Sequence, residues 1–171
     1  MKKNNKGFTL IELLIVLAII GGLSSIVLVA LNSARFKGAD AAIKGQLVST
    51  RAQSELLNNQ NDCYAPGACT AGSSPTVVAP EDCTTGGHTV ANSIFTDSKF
   101  WDQIASAIST SGGFNSCSAP AGGEAWAAVV QLKNDKLQAW CVDSKGVSKQ
   151  VTVTNNQGGL DGAISAAGAC L

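Results

Sequence analysis

The residues of this chain that could do chemistry are few, and their spacing removes most reactions. There is no G-x-x-x-x-G-K-[ST], no G-x-G-x-x-G and no G-x-S-x-G among the 171 residues. The single histidine, His88, rules out most histidine-based catalysis and reads as an exposed loop residue. Carboxylates are scattered, with only Glu81 and Asp82 adjacent, in a loop-like stretch. Asp135, Asp143 and Asp161, with the NNQGGLDG stretch, offer oxygen ligands to a calcium ion, which takes roughly six to eight of them. Solvated turn residues are the plainer reading, and no cofactor is expected. The sequence is that of a protein without enzymatic machinery.

Six cysteines stand at positions 63, 69, 83, 117, 141 and 170. There is no C-x-x-C pair, so zinc is a poor fit. An even number of cysteines placed beyond an apolar N-terminal segment points to an oxidising compartment and disulfides. Their pairing is open, since six cysteines allow about fifteen connectivities.

One carboxylate is out of place. Residues 1–34 read MKKNNKGFTLIELLIVLAIIGGLSSIVLVALNSA, a basic leader to Gly7 and then an apolar run broken only by Glu12. From Leu13 to Ala34 no residue is charged. As a helix that stretch spans roughly 33 Å, against a bilayer core of ~30 Å. It is too long for a secretory signal, and its end lacks a small-residue cleavage site. The first cysteine is Cys63, which excludes a lipoprotein signal. A plain single-pass anchor explains the length but has no use for Glu12. A cut between Gly7 and Phe8 gives the carboxylate a purpose. Glu12 then lies one turn from a new amine, at the helix end that favours negative charge, and a charge in lipid needs a partner. Lys2, Lys3 and Lys6 hold the leader on the cytoplasmic side.

The segment KGFTLIELLIVLAIIG resembles the class III leader of type IV pilins and of the pseudopilins of type II secretion. The resemblance implies cleavage after Gly7 by a membrane-embedded prepilin peptidase, N-methylation of Phe8, and docking of subunits through Glu12. Many pilins carry a proline in or just after this run, whereas the first proline here is Pro66. Gly21-Gly22 is therefore where any helix melting in a filament is expected, a helical glycine costing ~1 kcal/mol. Pseudopilins of this kind often have a calcium loop near the Asp143/Asp161 end. Pilins often close a C-terminal loop with a disulfide, which makes Cys141 or Cys117 the partner expected for Cys170.

The elements behind this segment give the domain plan. Phe36, Ala39, Ile43, Leu47, Ser54 and Leu57 form one stripe at helical spacing, extending the helix to about Leu57. The spine, residues 8–57, would be about 75 Å long at ~1.5 Å per residue. Its first half, 8–34, would lie in membrane or filament core, and its amphipathic second half would back a head formed by residues 58–171. Asp40 with Lys44, and Arg51 with Glu55, are candidate i,i+4 pairs. Residues 58–95 read as a loop crosslinked through its cysteines, with a GSSPT stretch that could carry sugar. Residues 96–110 read as a short helix capped by Thr96 or Asp97, burying Phe100, Trp101, Ile104, Ala105 and Ile108. Residues 125–154 read as a three-stranded antiparallel meander with a two-residue turn at Asn134-Asp135. That turn sets Val130 opposite Ala139. One face is then apolar, with Trp126, Ala128, Val130, Leu132, Leu137, Ala139, Cys141, Val147, Val151 and Val153. The other carries Gln131, Lys133, Gln138 and Trp140. Residues 155–171 form a tail tied by Cys170. The fold class is α+β, a long helical spine against an antiparallel meander with disulfide-stabilised loops.

The formal net charge is zero; the leader holds three of the 12 basic residues, so removing it leaves nine against 12 acidic ones, a net charge of −3. No nucleic-acid partner is expected. By resemblance the chain is a structural subunit of a type IV pilus serving adhesion, twitching motility or DNA uptake. A pseudopilin of type II secretion is the alternative within the family, and a membrane-anchored binding domain that never polymerises is the alternative outside it. Its partners would be copies of itself, the prepilin peptidase, and, indirectly, an assembly ATPase and an inner-membrane platform protein. It would be a single-pass membrane protein before assembly and part of an extracellular filament afterwards.

Overall fold

The structure, a computed structural model, describes residues 7–67, 78–84, 92–120 and 122–171. The leader before Gly7, Cys69, the GSSPT stretch and His88 lie outside the described residues. The chain divides after Phe36 into two compact units.

A single helix, α1 (Leu10–Asn61), supplies the first unit and opens the second. It contains no proline, and its glycines are outnumbered by strong helix formers. It runs past the expected end at Leu57 because the first left-handed residue is Asp62 (φ 58°), whose N–H donates to the Asn58 carbonyl at 2.8 Å. In the second unit α1 buries Ile43, Leu47, Thr50, Ser54 and Leu57. This is the expected stripe with three changes: Phe36 is exposed, Ala39 is half-buried and Thr50 is buried. The two buried hydroxyls are satisfied inside the helix, Thr50 Oγ1 donating to the Leu47 carbonyl (2.6 Å) and Ser54 Oγ to that of Arg51 (2.8 Å).

A 3-10 turn (Ile94–Thr96) leads into α2 (Ser98–Ser111). Asp97 is the cap, accepting from Phe100 N at 2.8 Å, while Thr96 belongs to the preceding turn. Gly112 ends the helix at φ 58°. Phe100 makes edge contacts with Phe95 and Trp126.

The sheet has five antiparallel strands in sequence order: β1 (Val78–Glu81), β2 (Asn115–Ala119), β3 (Ala127–Gln131), β4 (Gln138–Asp143) and β5 (Ser148–Thr152). Two strands thus precede the expected three. The register also differs. Val130 faces Trp140, and Gln131 faces Ala139. The expected two-residue turn needs positive φ at its centre, and neither Asn134 nor Asp135 has it. The connection is a five-residue loop, Lys133 to Leu137. It is closed by Leu132 N on the Gln138 carbonyl (2.9 Å) and by Leu137 N on Asp135 Oδ1 (2.9 Å). Asp40 of α1 secures it, its Oδ1 accepting from Lys133 N (2.7 Å) and Asn134 N (3.2 Å).

A one-residue slip exchanges the faces of one strand against its neighbour. The single apolar face expected from the sequence therefore splits into two. Trp126, Ala128, Val130, Leu132 and Val142 pack with Ile43, Leu47, Phe95, Phe100 and Ile104 on the side covered by the helices. Ala127, Val129, Ala139, Cys141 and Val153 pack on the opposite side with Leu160, Ala163 and Ile164. The last seventeen residues are thus a second cover rather than a tail: α3 (Gln157–Asp161) and a small hairpin of β6 (Ile164–Ser165) and β7 (Ala169–Cys170). Asn156 caps α3 by accepting from Gly159 N at 2.7 Å. Gly168 (φ +66°) turns the hairpin so close to the sheet that an added Cβ would stand 2.8 Å from Trp126 N.

Two disulfides lie within the described residues, Cys83–Cys117 and Cys141–Cys170. Cys63 is also disulfide-bonded. The expected i,i+4 ion pairs are not formed. Asp40 turns to the β3–β4 loop, and Lys44 lies over the Trp140 ring (4.8 Å) and donates to Gln150 (3.2 Å). Glu55 accepts from the Tyr64 hydroxyl (3.0 Å) rather than from Arg51.

Candidate processing and assembly site

Gly7, Phe8 and Thr9 precede the first turn of α1, and Glu12 lies within that turn. Thr9 is the cap. Its Oγ1 accepts from Glu12 N (3.3 Å), its own N–H and hydroxyl both donate to Glu12 Oε2 (2.9 and 2.7 Å), and its carbonyl accepts from Leu13 N (3.4 Å). This reciprocal T-x-x-E arrangement satisfies donors that a helix start leaves open. Sequence reasoning gave Glu12 its place near the helix N-terminus but not Thr9; the signal was present in F-T-L-I-E.

The geometry gives Glu12 two faces. Oε2 is committed to Thr9, whereas Oε1 makes no hydrogen bond among the described residues. A carboxylate fixed through one oxygen and open at the other can accept from one further cation. The nearest candidate by position is an amine created at Phe8. Phe8 itself is 83% exposed.

Around this site the first unit is apolar on every side. Leu10, Ile11, Leu14, Leu17, Ile20, Leu23, Val27 and Val29 are all exposed. A helix that is hydrophobic all round belongs in a membrane or inside a larger assembly, and α1 is long and apolar enough to cross a membrane. Burying one large apolar side chain is worth ~1.5–3 kcal/mol, so this unit leaves lipid only for surroundings equally apolar.

Gly21 and Gly22 are helical in the single chain. A Cβ at either meets nothing within 4 Å, so the chain's own packing does not require glycine there. Ser24 Oγ donates to the Ile20 carbonyl (2.7 Å) and Ser25 Oγ to that of Gly22 (2.8 Å). Such back-bonding satisfies hydroxyls in lipid and slightly weakens a helix. The weak points therefore coincide at residues 20–25.

The candidate calcium ligands each accept hydrogen bonds within the head. Asp143, 1% exposed, accepts from Lys145 N (3.0 Å), Val147 N (2.9 Å) and Cys170 N (3.0 Å). Asp161 Oδ1 accepts from Gln157 Nε2 (2.9 Å), and Asp135 Oδ1 holds the β3–β4 loop. Among the described residues no three acidic, histidine or cysteine side chains cluster as metal ligands.

Residues 2–31 match the family model for the prokaryotic N-terminal methylation motif. No curated protein and no solved structure matches the chain. The match covers the leader, the capped helix start with Glu12, and the apolar turns through Gly21 and Gly22. The match supports a class III prepilin leader of the type IV pilin-like kind at the start of this chain.

Proposed function

We propose that this pilin-like chain is a main structural subunit of a type IV pilus, in which helices of residues 8–34 form the filament core. The motif points to a structural protein rather than an enzyme, to processing by prepilin peptidase, and to membrane anchoring before assembly. The observation that carries the finer reading is Glu12, a single carboxylate in an otherwise apolar helix, fixed by Thr9 through Oε2 and open at Oε1. In a filament, the free oxygen takes the amine of Phe8 from a neighbouring subunit. Cleavage after Gly7 creates that amine, and N-methylation of Phe8 leaves it cationic. A carboxylate in lipid is costly unless paired, so the pairing favours the polymer over the dispersed, lipid-embedded chain. The helix exchanges lipid for sister helices at little net cost, with an assembly ATPase and an inner-membrane platform protein supplying the lift.

Glu12→Ala tests this. The variant is expected to insert and to be cut after Gly7, yet to give no filaments when sheared surface material is viewed by electron microscopy. Filaments formed by the variant, or a mature protein that retains residues 1–7, would overturn the reading. Mass spectrometry of the parent filament is expected to find a methylated Phe8 at the N-terminus.

A further inference from the structure

A cleft of about 350 Å³ lies in the head between the end of α2 and the β3–β4 loop, lined by Gly112, Gly113, Phe114, Gln131, Lys136 and Asn155. It has no part in processing or in the apolar helix. One buried side chain builds it. Gln131 is 1% exposed, and its amide ties three walls together: Oε1 accepts from Phe114 N (3.2 Å), and Nε2 donates to the Lys136 carbonyl (2.6 Å) and to Asn155 Oδ1 (2.8 Å). Every polar function of Gln131 is used, so the walls are held in fixed relation.

The groups left over define the chemistry. Lys136 Nζ makes no hydrogen bond or ion pair among the described residues, and neither does Asn155 Nδ2, whose partner oxygen is taken by Gln131. Burial, and then the charge of Lys133, push the Lys136 ammonium below its ordinary value of 10.5, with Asp40 opposing. A partly desolvated cation that no carboxylate contacts directly gains from an anion that arrives. Phe114 is 39% exposed, which leaves ring surface for an apolar face. Gly113 keeps the floor open, since a Cβ there would overlap Gln131 Oε1 and stand 2.9 Å from Lys136 Nζ.

An ammonium, an amide donor and an aromatic surface around a cleft at the lower end of small-ligand size suit a molecule with a carboxylate, hydroxyls and a C–H-rich face. We propose that this cleft binds an acidic sugar, a uronic acid residue or its chemical equivalent, with the carboxylate on Lys136, a hydroxyl or carboxylate oxygen on Asn155 Nδ2, and the ring on Phe114. The site belongs to the head and is independent of whether the chain polymerises.

The test is saturation-transfer NMR on the full chain in a non-ionic detergent, with sodium glucuronate, glucose and sodium acetate as separate probes. Glucuronate is expected to give a saturable signal stronger than either of the others. Lys136→Met is expected to weaken it by roughly 10- to 100-fold, the loss of a charged hydrogen bond. Phe114→Ala is expected to weaken it less, with both variants keeping the parent's thermal unfolding profile. Absence of a glucuronate signal overturns the proposal. So does equal binding of glucose, which removes the role of the charge, or equal binding of acetate, which removes the role of the ring. An unchanged affinity in a folded Lys136→Met protein places the ligand elsewhere and overturns it as well.

Discussion

The hydroxyl of Thr9 donates to Oε2 of Glu12 at 2.7 Å, and the Glu12 N–H returns a bond to the same hydroxyl oxygen at 3.3 Å. The residue proposed to pair subunits is therefore positioned by its neighbour three places earlier. Thr9→Val removes both bonds while keeping the shape. Losing such a cap costs ~1 kcal/mol, and the carboxylate is then held only by the Thr9 N–H. Processing is expected to continue, with filament yield in sheared fractions falling several-fold, and Thr9→Ser is expected to restore it. Yield equal to the parent in Thr9→Val would show that this positioning is dispensable.

Ile43 and Leu47 are both fully buried where α1 meets the sheet. Replacing either by Ala should destabilise the head by about 2–5 kcal/mol, read as a lower urea midpoint for the full chain in detergent. Val48, exposed on the same turn, is the control; Val48→Ala should stay within about 0.5 kcal/mol of the parent.

Cys141 and Cys170 close a sequence separation of 29 residues. Replacing both by Ser should cost about 3–4 kcal/mol on the chain-entropy estimate. The loss should concentrate in the second cover, so limited proteolysis is expected to cut beyond Thr154 first. A cleavage pattern identical to the parent's would mean that Leu160 and Ile164 hold the cover without the crosslink.

Gly168 combines a φ of +66° with a Cβ position 2.8 Å from Trp126 N. Gly168→Ala should lower stability by more than the ~1–2 kcal/mol of the left-handed backbone alone, because the hairpin must also move off the sheet. Thermal unfolding measures the sum. Gly38→Ala, in an open helical position, should be neutral or stabilising.

Burial, reinforced by the hydrogen bond to Glu55 and its charge, raises the Tyr64 phenol above its ordinary value of 10.0. A raised folded value means that this contribution is complete below the unfolded value near pH 10 and is lost as pH climbs through the folded one. Stability is therefore expected to fall more steeply above pH 10 in the parent than in Tyr64→Phe. Parallel curves would remove Tyr64 from the pH response.

The sequence shows the spine, α2 and the β3–β5 meander because each carries a period. The stripe from Ile43 to Leu57 recurs at helical spacing, and Ala125 to Lys133 is rich in strand formers. β2 is hidden because NSCSA has neither β-branched residues nor an apolar alternation; it is a strand because two sheet neighbours and the Cys83 link hold it. The register is misread because Lys133 to Leu137 looks like strand around a tight turn, whereas Asp40, 93 residues before Lys133, stabilises a wider loop. The second cover is hidden because GGLDGAISAAGAC has too few large apolar residues to announce a core element. At the site, Glu12 is legible from its isolation in an apolar run. The cleft is not, because Gln131, Lys136 and Asn155 are ordinary residues whose meeting depends on that same wide loop.

Because helices cover one side of the sheet and the C-terminal segment covers the other, β2 and β3 are buried along their whole length, and only Gln131 at the end of β3 lines a cleft. Among the described residues, a molecule that recognises this head meets its turns, its cleft, its edge strand β5 and the outer sides of its helices. Natural variants that evade such recognition would change there and leave the central strands alone. Antibodies raised against linear peptides from residues 115–119 or 127–131 would then detect the denatured protein and miss the native one.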